Sequence, residues 1–286
     1  MCRLFGMATG PCRAHATFWL LEAPDSLEEQ SHRQPDGTGL GWFSEEGTPC
    51  VDKAPIAAFE DEAFARTARR ICSTSFVAHV RFASTGGLSP QNTHPFEQRG
   101  RLLAHNGVIG GLDALEAELG DYRSLVKGDT DSERFFALVT KHIDEAGGDV
   151  GEGIAAAAGW VAREIPIYAI NVIVVQGPEV WALRYPEHND LYILERSAGG
   201  PSGARRLDHS SASGRIRVRS GELSEEPAVV FATERMDDNP GWRNLEVGEL
   251  VHVDARLRVD SRIVLDQPPS HPLALAPHAA ASQRPG

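Results

Sequence analysis

The chain has 286 residues, of which 41% are hydrophobic, and a formal net charge of −12 at neutral pH. This composition allows a substantial core, in one large domain or two small ones. The acidic balance, with no basic stripe, argues against nucleic-acid binding. Since no apolar run approaches the roughly 20 residues that cross a bilayer and the N-terminus lacks a secretory signal, we expect a cytoplasmic protein with neither a membrane nor a nucleic-acid partner.

Hydrophobic patterning predicts helices mainly in the first half of the chain and strands in the second. In chain order we expect a helix over 61–71, strands over 76–82 and 102–105, helices over 112–119, 132–145 and 154–164, and strands over 167–175, 180–185, 191–195, 216–219, 229–233 and 250–254. In the first of these strands, alternation places Val77, His79 and Arg81 on one face. The segregation of helices from strands favours an α+β layered domain.

Helix starts and loops mark the limits of this domain. Residues Thr130 to Glu133 fit a capping box, in which the side chains of Thr130 and Glu133 each accept the backbone N–H of the other. Residues 197–214, rich in Gly and Ser, are predicted to be mobile, and the composition from Gln267 onward is typical of a disordered tail. We therefore expect one domain over residues 2–266 and a tail over 267–286.

The four cysteines, at positions 2, 12, 50 and 72, show neither paired metal-ligand spacing nor the density of a disulfide scaffold. Cys12, Cys50 and Cys72 are expected to be ordinary reduced thiols. Cys2 differs because removal of the initiator methionine would set its thiol beside its own α-amino group, whose pKa is about 7.7. Nucleophile and base would then be present in one residue. Position alone is weak support, since most cysteines are structural.

Several segments together are more specific. The segments are Met1-Cys2-Arg3-Leu4-Phe5-Gly6, Arg81-Phe82-Ala83-Ser84-Thr85-Gly86, Asn92-Thr93-His94-Pro95-Phe96, His105-Asn106-Gly107 and Gly128-Asp129-Thr130-Asp131-Ser132-Glu133. In this order they resemble the class II glutamine amidotransferases, which are N-terminal nucleophile hydrolases. The resemblance implies a four-layer αββα sandwich, with two mainly antiparallel sheets between helical layers.

The same resemblance implies roles for individual residues. Cys2 would be the nucleophile, and Asn106 and Gly107 would form the oxyanion hole, with Gly107 leaving room for a close approach of the substrate. Arg81 would bind the substrate α-carboxylate, because a guanidinium offers parallel donors to both oxygens. Asp131 would pair with the α-ammonium. The alternative for Asn106-Gly107 is a plain tight turn.

Two further residues complete the predicted substrate-binding set. The hydroxyl of Ser84 is a candidate ligand of the carboxylate, and His94 is expected to shape the pocket by hydrogen bonds within its loop. A metal site built from His79, His94 and His105 is disfavoured because no pair has helical i,i+4 spacing and a thiolate mechanism needs no metal. We predict neither a metal nor a cofactor. The Gly-rich residues 32–42 form either a turn leading into a strand or a direct substrate contact.

The function implied is that of a cysteine amidohydrolase that cleaves a small-molecule γ-glutamyl amide, either glutamine or a γ-glutamyl conjugate, through a glutamyl thioester. The opening residues and residues 231–236 resemble the free-standing members, including the ergothioneine-pathway γ-glutamyl amidohydrolase. Two alternatives stay open: a glutaminase that delivers ammonia to a separate synthase, and a non-catalytic sensor of glutamine or γ-glutamyl compounds. The leaving amine and the formation of a homo-oligomer are also open.

Overall fold

A computed structural model describes residues 2–82, 87–197, 207–210, 217–220 and 227–275, with the backbone alone for 207–210 and 217–220. The α-helices of this part of the chain are α1 (Leu27–Ser31), α2 (Glu62–Arg70), α3 (Leu112–Leu119), α4 (Asp131–Glu145) and α5 (Val150–Glu164). A π-helical turn covers Phe18–Glu22, and 3-10 turns cover Ala58–Glu60, Pro90–Asn92 and Gly120–Leu125. None of the described helices has the length and apolar character needed to span a bilayer.

Strands supply most of the regular structure. They are β1 (Arg3–Ala8), β2 (Ala14–His15), β3 (Gly37–Phe43), β4 (Pro49–Ala54), β5 (Cys72–Ser73), β6 (Ser75–Arg81), β7 (Phe96–Gln98), β8 (Arg101–Ile109), β9 (Ile167–Gln176), β10 (Glu179–Leu183), β11 (Tyr192–Arg196), β12 (Leu207–Ser210), β13 (Arg217–Ser220), β14 (Ala228–Ala232), β15 (Arg243–Asn244), β16 (Glu249–Val253) and β17 (Val259–Ile263).

Two large antiparallel sheets are built from these strands. One has seven strands in the order β15-β11-β14-β1-β6-β3-β4, and the other has six in the order β17-β16-β10-β9-β8-β7. β1 lies in the middle of the first sheet, where β6 and β14 both pair with it. β8 pairs with β9 along its whole length in the second sheet. Two short ladders, β2–β5 and β12–β13, stand apart.

Apolar side chains are buried in three layers. One cluster, which includes Phe135, packs α3, α4 and α5 against the six-stranded sheet, and a second, which includes Leu4 and Ile173, lies between the sheets. The third, around Trp19 and Phe64, covers the outer face of the seven-stranded sheet. Each large apolar side chain contributes about 1.5–3 kcal/mol on burial. The order helix, sheet, sheet, helix confirms the predicted four-layer sandwich.

Helix boundaries follow their capping residues. α4 begins at Asp131 because the hydroxyl of Thr130 accepts the backbone N–H of Glu133 at 3.2 Å, as predicted. The reciprocal half of the capping box is wrong, since Glu133 Oε2 accepts the N–H of Gly128 at 2.6 Å instead. α5 begins four residues earlier than predicted because Asp149 caps it, accepting the N–H of Glu152 at 2.9 Å. A local side-chain acceptor therefore decides where each helix starts.

The predicted disorder from Gln267 onward is wrong for the first part of that segment. The hydroxyl of Tyr185 donates to the carbonyl of Gln267 at 2.8 Å, and Ile167 exchanges backbone hydrogen bonds with His271 and Leu273. These bonds satisfy backbone groups at the start of β9 that would otherwise lack partners. Residues 276–286 lie outside the described residues. So does most of the segment 197–214, although β12 within it forms a strand where a mobile loop was predicted.

Candidate active site

Strand alternation determines where the Cys2 side chain points. Leu4 belongs to the cluster between the sheets and Phe5 to the cluster on the outer face. Because side chains alternate with a period of two, Cys2 points into the space between the sheets. This space is closed by apolar residues further along β1, so that Cys2 lies at one end of it.

The pairing of β6 with β1 brings a second set of side chains to the same place. Arg3 lies opposite Val80, which places Arg81 beside Cys2 across the ladder. Val77 belongs to the cluster between the sheets, so His79 and Arg81 face the same space. This confirms the face assignment made from the alternation of residues 76–82.

Residues from both sheets and from the start of α4 line one pocket at this end of the sandwich. Among the described residues they are Cys2, His79, Arg81, Phe82, His94, His105, Gly107, Thr130, Asp131 and Ser132. Five of the seven predicted site residues are therefore in the wall of a single pocket. Ser84 lies outside the described residues, and Asn106 is not among the residues that line this pocket.

The Cys2 thiol is held by the backbone of Phe82. Its Sγ accepts the Phe82 N–H at 3.3 Å and lies 3.5 Å from the Phe82 carbonyl oxygen, to which the S–H donates. Burial raises the pKa of this thiol, while the Phe82 N–H and the charge of Arg81 oppose that rise. With its pKa raised, the thiol is protonated at neutral pH, so a nucleophilic role requires a base to remove the proton.

Two opposite charges lie in the wall of the pocket that contains the thiol. Arg81 is 4% exposed, and its Nη1 donates to the carbonyl of Gly87 at 3.2 Å. Burial lowers the pKa of Arg81, but the negative charges of Asp36 and Asp131 oppose this, and a guanidinium stays charged in any case. Asp131 Oδ2 accepts the N–H of Ile109 at 2.8 Å. The pocket thus offers both a cation and an anion to a ligand.

Asn106 and Gly107 lie within β8, so the alternative of an isolated tight turn is wrong. Ala104 belongs to the cluster between the sheets, so Asn106, two residues later, faces the same space as Cys2. Asn106 is completely buried, and neither polar atom of its amide has a hydrogen-bond partner in the part of the chain that the structure describes. Such a group costs about 1–3 kcal/mol and is expected mainly where function requires it.

The structure gives Gly107 a role in strand packing, whereas the sequence predicted a role in the approach of the substrate. A Cβ at this position would lie 1.8 Å from the carbonyl oxygen of Ala169 in β9. Glycine is therefore required for β8 and β9 to approach each other, whether or not a substrate is bound.

Comparison with known proteins agrees with this geometry. Residues 1–268 match the family model of the class II glutamine amidotransferases. The chain belongs to this family. It is 30% identical over 235 residues to the uncharacterized protein MJ1515 of Methanocaldococcus jannaschii, covering 79% of this chain and 63% of that relative. It is 26% identical over 247 residues to the gamma-glutamyl-hercynylcysteine sulfoxide hydrolase of Mycolicibacterium smegmatis, covering 82% of this chain and 88% of that one.

The fold is shared with a solved amidotransferase. The glutamine phosphoribosylpyrophosphate amidotransferase of Bacillus subtilis superposes with a TM-score of 0.62 at 17% identity, covering 93% of this chain and 50% of that one. This chain thus spans half of that enzyme and about two thirds of the Methanocaldococcus relative.

The His94 side chain does not form the hydrogen bonds that its predicted role requires. Neither ring nitrogen of His94 has a hydrogen-bond partner among the described residues, so the predicted hydrogen bonds within the loop are wrong. The ring instead packs 4.2 Å from His79 and 4.6 Å from Phe96, between centroids. Lys53 holds the loop, because its Nζ donates to the carbonyls of Thr93 and Pro95 at 2.7 and 3.1 Å.

The Gly-rich segment behind Cys2 is a strand that leaves room for this loop. A Cβ on Gly39 would lie 2.0 Å from the carbonyl oxygen of His94. Residues 32–42 were predicted to form either a turn leading into a strand or a direct substrate contact. The structure shows a strand over Gly37–Phe43, in which Gly39 allows this close packing.

Sequence reasoning missed two parts of the wall. The backbone of Phe82 contacts the thiol, and Ser132 Oγ lies 2.9 Å from Nδ1 of His105. Both residues lie inside the recognised motifs, yet only the folded register shows their contacts. Burial lowers the pKa of His79, His94 and His105, which leaves all three imidazoles neutral. Across the described ranges, no three His, Cys, Asp or Glu side chains are grouped to hold a metal ion.

Proposed function

We propose that this class II glutamine amidotransferase is a cysteine-dependent amidohydrolase that cleaves a γ-glutamyl amide through a glutamyl thioester on Cys2. The observation that carries the proposal is the single pocket lined by the Cys2 thiol, the Arg81 guanidinium and the Asp131 carboxylate. A glutamyl group carries an α-carboxylate and an α-ammonium, which these two charges complement. Its γ-carbonyl is then directed toward the thiol.

The reaction proceeds in two stages. With residue 1 removed, the α-amino group of Cys2 takes the thiol proton, and Sγ attacks the γ-carbonyl carbon. The side-chain amide of Asn106 and the N–H of Gly107 stabilise the oxyanion. When the C–N bond breaks, the leaving amine takes the proton from the α-ammonium group. Water then attacks the thioester, which releases glutamate and restores the thiol.

The unpartnered amide of Asn106 supports this assignment. A buried donor without a partner is preorganised for charge that develops only during the reaction. The raised pKa of the thiol is consistent with a base that acts on it. Because the pKa values of the pocket imidazoles are lowered, they are weaker bases than an α-amino group, whose pKa is about 7.7. The relative from Mycolicibacterium smegmatis, named as a hydrolase of a γ-glutamyl compound, supports a conjugate as the substrate class.

The deciding experiment measures glutamate release from glutamine, glutathione and several γ-glutamyl amines, using protein whose N-terminus is confirmed as Cys2 by mass spectrometry. Cys2→Ala should lower turnover by about 10⁴-fold or more, because the covalent step is lost. Cys50→Ala is the matched control, since Cys50 lies on β4 away from the pocket, and should change turnover by less than about twofold. Unchanged turnover in Cys2→Ala would refute the proposal.

Two further measurements separate the alternatives. A glutamine-mimicking diazo ketone should form an adduct on Cys2, and its absence would favour a non-catalytic sensor. Activity on glutamine that rises only when a synthase copurifies would favour ammonia delivery. Full activity in protein that retains its initiator methionine would remove the α-amino group from the mechanism.

A further inference from the structure

A second cavity, of about 310 Å³, opens beside the loop that carries His94. Its apolar wall is formed by Val51, Pro90, Pro95 and Phe96. None of these residues lines the Cys2 pocket. The volume lies at the lower end of the range for small-molecule sites, which extends from about 300 to 1,000 Å³.

The acidic groups of this cavity already have partners. Glu133 Oε2 accepts the N–H of Gly128 at 2.6 Å, and Glu97 Oε1 accepts the N–H of Gly100 at 2.9 Å. Backbone donors thus satisfy an oxygen of each carboxylate. Neither carboxylate forms an ion pair with a lysine in the described part of the chain.

Neither lysine of the cavity forms an ion pair with a described carboxylate, and only Lys53 bonds to the backbone. Lys53 Nζ donates to two neutral carbonyls, those of Thr93 and Pro95, and lies 4.9 Å from the centroid of Phe96. Lys127, the second lysine of the wall, is exposed and forms no hydrogen bond or ion pair with a described residue. Two ammonium groups therefore border a partly apolar cavity without an anion in contact.

Burial of Lys53 has an energetic consequence. Burial lowers the pKa of Lys53 from 10.5 to about 8; the charge of Glu133 opposes the shift and that of Lys127 adds to it. Because the folded value is below the unfolded one, this group makes stability rise with pH between about 8 and 10.5. Below pH 8 the ammonium is carried at a cost in free energy, which an anion in contact would reduce.

We propose that this cavity is a second ligand site, which binds a small organic carboxylate with its charge between Lys53 and Lys127 and its apolar body against Phe96 and the two prolines. The site is separate from the proposed hydrolysis. It shares a wall with the Cys2 pocket, since the residues that follow His94 and Ser132 line it.

The test uses 3-phenylpropionate as the probe and 3-phenylpropan-1-ol as its uncharged match, titrated by calorimetry into both native and Cys2→Ala protein. We expect the carboxylate to bind with a dissociation constant of about 1 mM, and the alcohol to bind at least about fivefold more weakly. Equal binding to native and Cys2→Ala protein would show that the site does not depend on the catalytic thiol. Displacement of the probe by glutamate acting at the Cys2 pocket would contradict it.

Variants locate the site. Lys127→Met should weaken binding of 3-phenylpropionate by about two- to fivefold, as expected for an exposed ion pair, and Lys53→Met by about tenfold, because Lys53 is half-buried. Arg70→Gln removes an exposed charge from α2 and should leave binding unchanged. Lys127 has no partner to lose within the described ranges, so its variant tests the proposal even if Lys53→Met folds poorly. Equal affinity for acid and alcohol, or no effect of Lys127→Met, would overturn it.

Discussion

The two ends of the space between the sheets differ in chemistry although the same strands line both. Toward one end β1, β6 and β8 present Leu4, Val77 and Ala104, which are packed in the apolar cluster. Two residues along, the same faces of β1, β6 and β8 present Cys2, His79 and Asn106. The sheet geometry is unchanged, since a step of two residues preserves the face. The Cys2 pocket thus lies where the residues at the ends of regular strands change from apolar to polar, and the loop of His94 completes its wall.

Two asparagines that form one cross-strand pair differ in whether their amides have hydrogen-bond partners. Asn106 in β8 lies opposite Asn171 in β9, and both are completely buried. Asn171 donates to the carbonyls of Asn189 and Asp190 and accepts the N–H of Tyr185. Asn106 has no partner among the described residues. One amide therefore contributes to stability, whereas the other costs stability, which fits the oxyanion role proposed for it.

The largest expected effect is on catalysis by Asn106→Ala. Loss of one oxyanion donor should lower kcat for glutamate release by about 10²–10³-fold. The free energy of unfolding should change by less than about 1 kcal/mol, because removal of an unpartnered amide offsets the small cavity it leaves. Steady-state kinetics and urea denaturation measure the two. A large loss of stability with normal kcat would reverse the roles assigned to the pair.

Asn171→Ala is the matched variant, and its main effect should be on stability. It leaves the Tyr185 N–H and the Asp190 carbonyl without this partner, while the Asn189 carbonyl keeps its bond from Arg184 Nε, so the free energy of unfolding should fall by about 2–3 kcal/mol. Turnover per folded molecule should change by less than about threefold. Denaturation curves and active-site titration check this. An undiminished unfolding energy would mean that the Asn171 hydrogen bonds do not stabilise the fold.

Arg81→Lys tests whether Arg81 binds the carboxylate of the substrate. A single ammonium replaces a planar fork, so kcat/KM for a γ-glutamyl substrate should fall by about 10- to 100-fold, chiefly through KM. Arg101→Lys is the control, because Arg101 at the start of β8 bonds to Gln176 and does not line the Cys2 pocket. If the two variants behave alike, Arg81 does not bind the carboxylate.

The smallest effect concerns pH. Burial lowers the pKa of His79 to about 3, below the unfolded value of 6.5, so the folded state binds fewer protons than the unfolded state between these limits. Stability should then fall as pH decreases below 6.5, by about 1.4 kcal/mol per pH unit from this residue. His79→Gln should make the dependence less steep in urea denaturation between about pH 5 and 7. An identical slope in both proteins would show that His79 is not buried as a neutral imidazole.

Several elements could be predicted from local pattern because their signals are local. The helix α3 begins and ends at the predicted residues, and the hairpin of β9 and β10 turns at Gly177, where positive φ suits glycine. β1 was missed because all six of its residues are buried, which removes the alternation that marks a half-exposed strand. The docking of residues 267–273 was missed because their partners, which include Tyr185 and Ile167, are distant in sequence.

The sequence by itself determined the family, the order of the motifs and the residue types at Cys2, Arg81, Asn106 and Asp131, because these depend on the chemistry of single side chains. Only the tertiary structure decided that Asn106 lacks a hydrogen-bond partner among the described residues, that the approach of Ala169 requires glycine at position 107 and that Lys53 holds the loop of His94. The physical reason is that burial and hydrogen-bond satisfaction depend on which strands are neighbours. Sheet register determines those neighbours over the whole length of the chain.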